Sequence, residues 1–228
     1  MAILGILLVL LLLGAIFGPQ VWIRHVMKKH AVHRSDFPGT GGELARHLLD
    51  SFGMGDVGVE VTEKGDHYDP ESRTVRLLAN HHDGASVTAV AVATHEVGHA
   101  IQHHRGERML ALRGTLARFA MVTDRFATIF FYAAPLLAVF ARTPLAFFGL
   151  IAVGIALLGV RVIVHLVTLP VELDASFGKA LPILDEGGYI AGDDLPAARS
   201  VLKAAAFTYV AGALMSLLNL AQWLRVLR

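Results

Sequence analysis

Four long apolar runs constrain this chain more than any other feature. The first covers about 22 residues between Ala2 and Ile23, long enough to cross the hydrocarbon core of a bilayer as a helix. The others lie at 126–141, 145–169 and 202–224. Because 54% of the 228 residues are hydrophobic and the mean hydropathy is +0.56, membrane segments are expected. The sequence therefore predicts a mainly α-helical integral membrane protein with about four transmembrane helices.

These runs divide the chain into five segments. Residues 1–23 are predicted to be a retained N-terminal transmembrane anchor, since no charged segment precedes the run and no cleavage motif follows it. Residues 24–118 are polar with the texture of a globular domain. Residues 119–169 are predicted to form a transmembrane hairpin, residues 170–200 a second polar segment, and residues 201–228 a C-terminal transmembrane helix.

Inside the first polar segment the patterns predict a helix followed by a β-hairpin. Leu44, Leu48 and Phe52 recur at helical spacing. Alternating valines at 57–61 indicate a strand, and residues 74–78 are typical of a return strand. With the helix described below, they form a small α+β unit of zincin-like character.

The composition excludes two broad kinds of chemistry. The chain has no cysteine, which removes disulfides, thiolate zinc sites and cysteine nucleophiles. Its formal net charge is +1 and it has no long basic run, so we expect no nucleic-acid partner. Any bound metal must be held by histidines and carboxylates.

The pentapeptide His-Glu-Val-Gly-His at 95–99 lies in a buried helix predicted between residues 86 and 104. His95 and His99 are four residues apart, so they share a helix face and can direct their imidazoles at one ion. Glu96 leans towards the same region and can take a proton from a water that a metal activates. The alternative, three core side chains that merely hydrogen-bond to neighbours, requires a separate partner for each.

The third metal ligand must come from outside this helix. A catalytic zinc site takes three protein ligands and keeps one position open. His103 lies about 12 Å along the helix axis from His95, too far to reach the same ion. The longer pattern His-Glu-x-x-His-x-x-Gly-x-x-His also fails, because Gln102 and Arg105 occupy its last two defining positions.

The segment 170–200 offers the best candidate, Glu172, which follows the third apolar run directly. The structural alternative is an acidic residue in the first turn of a helix opened by Pro170. Asp174 is a second candidate, either as ligand or as a carboxylate that orients a ligand histidine. Glu186 is a weaker one.

These motifs resemble the bacterial membrane-bound zinc metallopeptidase family of the YugP type. The resemblance covers most of the chain and is carried by residues 66–70, 75–77, 93–102 and 169–176. It implies one Zn²⁺ per chain. A more distant similarity to HtpX-type membrane proteases implies a third ligand from a glutamate after a transmembrane hairpin, at Glu172. Those proteases often carry an aspartate four residues later, where this chain has Ser176, and Asp174 is the candidate for that supporting role.

His67 and Tyr68 form a further cluster with two open interpretations. Either side chain can stabilise the oxyanion of a tetrahedral intermediate, a role worth about 3–4 kcal/mol when filled. The structural interpretation is a turn in which Asp66 and Asp69 accept backbone N–H bonds while Tyr68 packs.

Basic residues indicate the orientation in the membrane. They follow the first run and precede the second, at Arg24, Lys28, Lys29, Arg34, Arg105, Arg108, Arg113 and Arg118. The positive-inside rule then places the catalytic site on the cytoplasmic face of a multi-pass protein. The resemblance implies that the membrane is the bacterial inner membrane.

The sequence as a whole predicts a membrane-embedded zinc endopeptidase of the gluzincin type. Its ligands are His95, His99 and Glu172, and Glu96 is the general base and acid. Protein or peptide substrates close to the bilayer are the expected partners. One rival is a catalytically inactive zinc-binding scaffold or chaperone, which would not need Glu96 and would fill its fourth zinc position. A transporter subunit is another, but its spans would carry more polar residues.

Overall fold

The computed structural model describes residues 2–140 and 143–226, with side chains for most residues between 17 and 216. These residues form a mainly helical chain with one three-stranded sheet. The α-helices are α1 Ala2–Lys29, α2 Gly41–Ser51, α3 Ala79–His82, α4 Val87–His104, α5 Arg108–Phe140, α6 Pro144–Leu173, α7 Leu181–Glu186 and α8 Leu195–Val226. A π-helix at Asp174–Ala180 joins α6 to α7, and a short 3₁₀ helix at Gly192–Asp194 precedes α8.

The sheet has the strand order β1-β3-β2, with β1 at Gly58–Thr62, β2 at His67–Asp69 and β3 at Thr74–Leu78. Strands β1 and β3 are parallel, and β2 pairs antiparallel with the other side of β3. The predicted hairpin between β1 and β3 is therefore wrong. The extra strand β2 reverses the chain once more before β3, so that β3 runs in the direction of β1.

Helix α2 is formed where the sequence predicts it, and a capping box starts it. The Thr40 side chain accepts from the backbone N–H of Glu43 at 3.2 Å, and the Glu43 carboxylate accepts from the N–H of Thr40 at 2.8 Å. Gly41 allows close approach to the neighbouring backbone, because a β-carbon there would lie 2.3 Å from the carbonyl oxygen of His81. The buried side of α2, which includes Leu48 and Leu49, packs towards α4.

Helix α4 is the central helix of this region and is buried on every side from Val87 to Gln102. Ser86 caps its start, as predicted, by accepting from the N–H of Ala89 at 3.1 Å. Small side chains at most positions, several of them alanine or valine, let α2, the sheet and the π-helix pack closely around it. A polar side chain in such a helix needs a specific partner.

The chain divides into two compact units. The first comprises Met1–Gly18, Leu112–Leu169 and Tyr209–Arg228, and the second comprises Pro19–Ala111 and Pro170–Thr208. The sheet, α2, α3, α4 and the π-helix all belong to the second unit. Within the first unit, the Arg161 guanidinium forms two 2.7 Å hydrogen bonds to the Asp124 carboxylate and so joins α6 to α5.

One helix among the described residues is long and apolar enough to cross a membrane, judged by length and composition. It runs over Pro144–Glu186, and only 6% of its most apolar window is buried inside the protein. The prediction of about four transmembrane helices is therefore wrong. The predicted combination of a mainly helical chain with a small sheet is present.

Charged residues account for part of this difference. In α5, Arg118, Asp124 and Arg125 precede the apolar run and leave too few uncharged residues for a span. Most of the predicted span at 1–23, and residues 217–228 of the predicted span at 201–228, have side chains outside those that the structure describes.

Candidate metal centre

Helix α4 supplies three of the predicted site residues. His95 and His99 point to the same side of the helix, with ring centroids 4.8 Å apart. Glu96 lies between them in sequence. All three side chains are buried, and the residues are 4%, 4% and 6% exposed in the order His95, His99, Glu96. An unpaired polar group at such depth would cost several kcal/mol, roughly 2–7, so the group must be satisfied by partners.

The end of α6 and the following π-helix bring Glu172 to α4. The sequence allowed a new helix opening at Pro170, but α6 continues through this proline and ends at Leu173. Gly98 lies inside the pentapeptide and makes the contact possible, because a β-carbon there would be 2.9 Å from the carbonyl oxygen of Ala175. Glu172 is 2% exposed as a result of this packing.

The ligand atoms of His95, His99 and Glu172 all lie within 4.8 Å of one another. Glu172 Oε2 is 3.2 Å from His95 Nε2 and 3.4 Å from His99 Nε2. An ion about 2.0–2.1 Å from two ligand atoms, at the tetrahedral angle, separates those atoms by about 3.3–3.4 Å. The two separations from Glu172 Oε2 therefore fit a zinc ion shared with each histidine.

The outer nitrogens of both histidines face oxygen atoms. His95 Nδ1 is 3.1 Å from the Ser176 hydroxyl, which itself donates to the carbonyl of Leu202 at 3.2 Å. His99 Nδ1 is 2.8 Å from Gln102 Oε1. Because the Ser176 proton is used elsewhere and an amide oxygen only accepts, both Nδ1 atoms donate. A neutral ring that is protonated at Nδ1 carries a lone pair at Nε2. The Nε2 lone pairs of His95 and His99 therefore meet the carboxylate of Glu172, and a bound cation would satisfy all three groups.

Comparison with known proteins decides the family. Residues 5–228 match the model of a family described as "Putative neutral zinc metallopeptidase". The chain belongs to this zinc metallopeptidase family. It is also 36% identical over 223 residues to "Putative membrane protease YugP" of Bacillus subtilis (strain 168), an alignment that covers 97% of this chain and 95% of the relative. No solved structure matches the chain.

Family membership confirms the resemblance that the motifs predicted. Family membership supports a zinc-dependent protease. The buried side chains of His95, His99 and Glu172 are a group that could hold the metal. The relative is called a membrane protease, and this chain has one apolar helix of sufficient length among its described residues.

The other predicted site residues lie in two places. Asp174 accepts from the Gln102 amide at 2.8 Å and is thereby linked to His99. Tyr68 is 2.8 Å from His103 Nδ1, and His67 Nδ1 is 2.8 Å from the carbonyl oxygen of Gly65. These contacts give Tyr68 and His67 structural partners, and a direct role for either in the reaction stays a prediction.

The turn at Asp66 and Asp69 has the hydrogen bonds that its residues predicted. Asp66 accepts from the N–H of Leu78 at 2.8 Å, and Asp69 from that of Glu71 at 2.9 Å. The Arg76 guanidinium, 2.7 Å from Asp69, lowers the pKa of that carboxyl to about 2. Burial raises the pKa of the Tyr68 phenol, so its hydroxyl keeps its proton at neutral pH.

Three residues of the site escaped the motif analysis. Gln102 was visible only as a departure from a longer zinc-binding pattern, and Ser176 only as a departure from an aspartate position. Lys179 carried no signal, because nothing in the sequence indicates that its ammonium group is buried at 7% exposure. The missing information is tertiary. Gln102 and Ser176 form hydrogen bonds between α4 and the end of α6 or the π-helix, and Lys179 pairs with Asp174, which accepts from Gln102.

Proposed function

We propose that this metallopeptidase is a zinc-dependent endopeptidase of the gluzincin type with one zinc ion per chain. His95, His99 and Glu172 are its ligands and Glu96 is its general base. The observation that carries the proposal is the convergence of three buried ligand atoms, two of them from the helix that also holds Glu96. Zinc held by these three residues would keep a position free for water or substrate.

The chemistry divides between the metal and Glu96. Zinc held here supplies Lewis acidity, which polarises the scissile carbonyl and lowers the pKa of water towards about 7. Glu96 accepts the proton of the attacking water and passes it to the leaving amine nitrogen as the carbon–nitrogen bond breaks. Its burial excludes bulk water, which strengthens each electrostatic interaction in the site. Asp174 supports the site through Gln102.

Proteins or peptides close to a bilayer are the proposed substrates. The support is the candidate span at Pro144–Glu186, whose range includes Glu172. Because Glu172 belongs to the same continuous helical stretch as the apolar segment, insertion of that segment would keep the metal site near the membrane. The bacterial inner membrane, with the site on its cytoplasmic face, is the proposed location, supported by Arg24, Lys28 and Lys29 at the end of α1.

The test compares wild type with Glu96→Gln, both purified in detergent at full length, on casein and membrane-derived peptides. We expect Glu96→Gln to keep one zinc per chain and to lose about 10²–10⁴-fold in kcat/KM, the range for a lost general base. Glu63→Gln is the matched control, since Glu63 is an exposed glutamate in the same unit. Equal cleavage by Glu96→Gln would overturn the assignment. Zinc binding without any cleavage by wild type would favour the inactive scaffold.

A further inference from the structure

A hydrogen-bonded chain runs outward from His99 through Gln102. Gln102 Oε1 is 2.8 Å from His99 Nδ1, and the amide nitrogen of Gln102 donates to the carbonyl of Val171 at 2.9 Å and to Asp174 Oδ2 at 2.8 Å. Gln102 is 1% exposed, so its amide group is shielded from bulk water. A single amide thereby connects α4 to both the end of α6 and the start of the π-helix.

Lys179 holds the far end of this chain. Its ammonium group donates to the Oδ2 atom of Asp174 that also accepts from Gln102, and it lies 3.0 Å from Glu107 Oε1. A buried ammonium is tolerated only when carboxylates pair with it. Gly178 leaves room for this arrangement, since a β-carbon there would be 2.3 Å from Asp174 Oδ1.

The acceptors around Gln102 determine which way its amide points. A backbone carbonyl and a carboxylate can only accept, so the NH₂ group of Gln102 must face Val171 and Asp174. Its oxygen then faces His99, and the proton of that hydrogen bond must sit on His99 Nδ1. A neutral imidazole has one proton, which leaves the lone pair of His99 Nε2 directed at Glu172.

We propose that Gln102, Asp174 and Lys179 are positioning residues that select the metal-binding tautomer of His99. Lys179 fixes the Asp174 carboxylate, Asp174 fixes the Gln102 amide, and the amide oxygen holds the His99 proton on Nδ1. Without the ammonium group the carboxylate is free to turn away, and the amide loses the partner that orients it. This inference rests on the proposed zinc site for its effect on catalysis, but the tautomer itself is a property of the protein alone.

The two histidines differ in how firmly their protons are held. His95 is backed by the neutral hydroxyl of Ser176 and the carbonyl of Leu202. His99 is backed by the neutral amide of Gln102, which itself donates to the charged Asp174 carboxylate. Hydrogen bonds to charged groups are about twice as strong as neutral ones, so the orientation of this amide depends on the charged pair. Loss of Lys179 should therefore disturb His99 and leave His95 in place.

The first test observes the tautomer directly. Histidine-labelled full-length protein is studied by ¹H–¹⁵N NMR, as purified and after chelation of its metal, with His99→Gln to assign the signal. We expect His99 to carry its proton on Nδ1 in both states. In chelated Gln102→Leu we expect a mixture of tautomers. A proton on Nε2 of His99 in the chelated wild type would overturn the proposal.

The second test measures zinc affinity and the visible spectrum of the Co²⁺-substituted protein. Outer partners of a metal ligand are typically worth about 10- to 100-fold in affinity, and we expect such a loss in Lys179→Met and in Gln102→Leu. Lys179→Arg keeps the charge and should restore most of the affinity. Lys203→Met is the control, since Lys203 is an exposed lysine of α8. Wild-type affinity and spectrum in both Lys179→Met and Gln102→Leu would contradict the proposal.

A double variant tests whether Gln102 and Lys179 affect zinc affinity through the same hydrogen-bonded chain or independently of each other. If Lys179 acts through Gln102, the double variant Gln102→Leu/Lys179→Met binds zinc no more weakly than Gln102→Leu alone. Additive losses would overturn the chain. These readouts do not involve cleavage, so a wild type that binds zinc without cleaving peptides would refute the proposed function and leave this inference standing.

Discussion

At the scale of single residues, the proposed metal site depends on atoms that would not contact the ion. Each of the two proposed ligand histidines directs Nε2 at Glu172 and places Nδ1 beside a buried oxygen atom, from Ser176 or Gln102. The outer oxygen atoms hold each ring in place and leave the inner lone pair available. The geometry of the metal group is therefore set as much by these partners as by the ligands.

Ser176→Ala tests the partner of His95. The substitution removes the 3.1 Å contact to Nδ1 and leaves that buried N–H without its acceptor. We expect zinc affinity to fall by about tenfold, the lower end for such partners, because the rest of the site remains. Competition with a fluorescent chelator measures the change. Ser200→Ala, which removes only a bond to the carbonyl of Pro196, should bind zinc like wild type. A Ser176→Ala protein with unchanged affinity would refute the role.

The ion pair of Asp69 with Arg76 predicts how the stability of the protein depends on pH. Because Arg76 lowers its pKa in the folded protein from 3.8 to about 2, the unfolded state binds a proton first as the pH falls. The stabilisation is complete above about pH 4 and is lost as the pH falls towards about 2. The difference in melting temperature between wild type and Asp69→Asn should therefore shrink over this range. A difference that stays constant would show that the ion pair contributes nothing.

Sequence reasoning goes far at this scale where a residue's chemistry is local. The four-residue spacing of His95 and His99 follows from the period of a helix, and Glu172 follows from its place after an apolar run. Lys179 could not be found in this way. A lysine is normally exposed, and only the packing of the π-helix on α4 shows that this one is buried.

At the scale of elements, α4 and the end of α6 provide the three potential ligands, and the π-helix that follows α6 packs on α4. The sequence predicted α4 well, because a serine cap and a continuous run of small apolar residues identify a buried helix. It did not predict the π-helix or the parallel pairing of β1 and β3. Both features depend on how segments distant in sequence pack against each other, and the local sequence pattern does not determine this packing.

Gly98→Ala tests the contact between these elements. The added β-carbon would lie 2.9 Å from the carbonyl oxygen of Ala175, so the π-helix must shift away from α4. We expect a loss of about 1–3 kcal/mol in stability, typical of overpacking, together with weaker zinc binding as Glu172 moves. Thermal unfolding and zinc titration measure the two effects.

Gly114→Ala is the control for this substitution. A β-carbon at Gly114 would have its nearest neighbour, a guanidinium nitrogen of Arg118, at 3.9 Å. Helical propensity alone should then make the variant slightly more stable, by about 0.5–1 kcal/mol. If Gly98→Ala behaves like Gly114→Ala, the close approach of the two helices is not required.

At the scale of the whole molecule, one candidate span is found among the described residues, where the apolar runs predicted about four. Charged residues near the end of an apolar run shorten the stretch that can lie in a bilayer. Arg118, Asp124 and Arg125 interrupt α5 in this way, and Asp124 pairs with Arg161 of α6. The candidate span at Pro144–Glu186 meets the requirement among the described residues.

Extraction of membranes tests this attachment. We expect the full-length protein to stay in the pellet after alkaline carbonate treatment and to be released by detergent, since an exposed apolar helix of this length is stable only in lipid or detergent. Release by carbonate would indicate peripheral binding and remove the support for substrates at the bilayer.

The central claim is that Glu172 completes a zinc site with His95 and His99. The most direct test is zinc content per chain, measured by mass spectrometry on purified wild type, Glu172→Ala and Glu186→Ala. We predict one zinc in wild type and in Glu186→Ala, and a loss of most of it in Glu172→Ala. Full zinc in Glu172→Ala, or its loss in Glu186→Ala, would contradict the account.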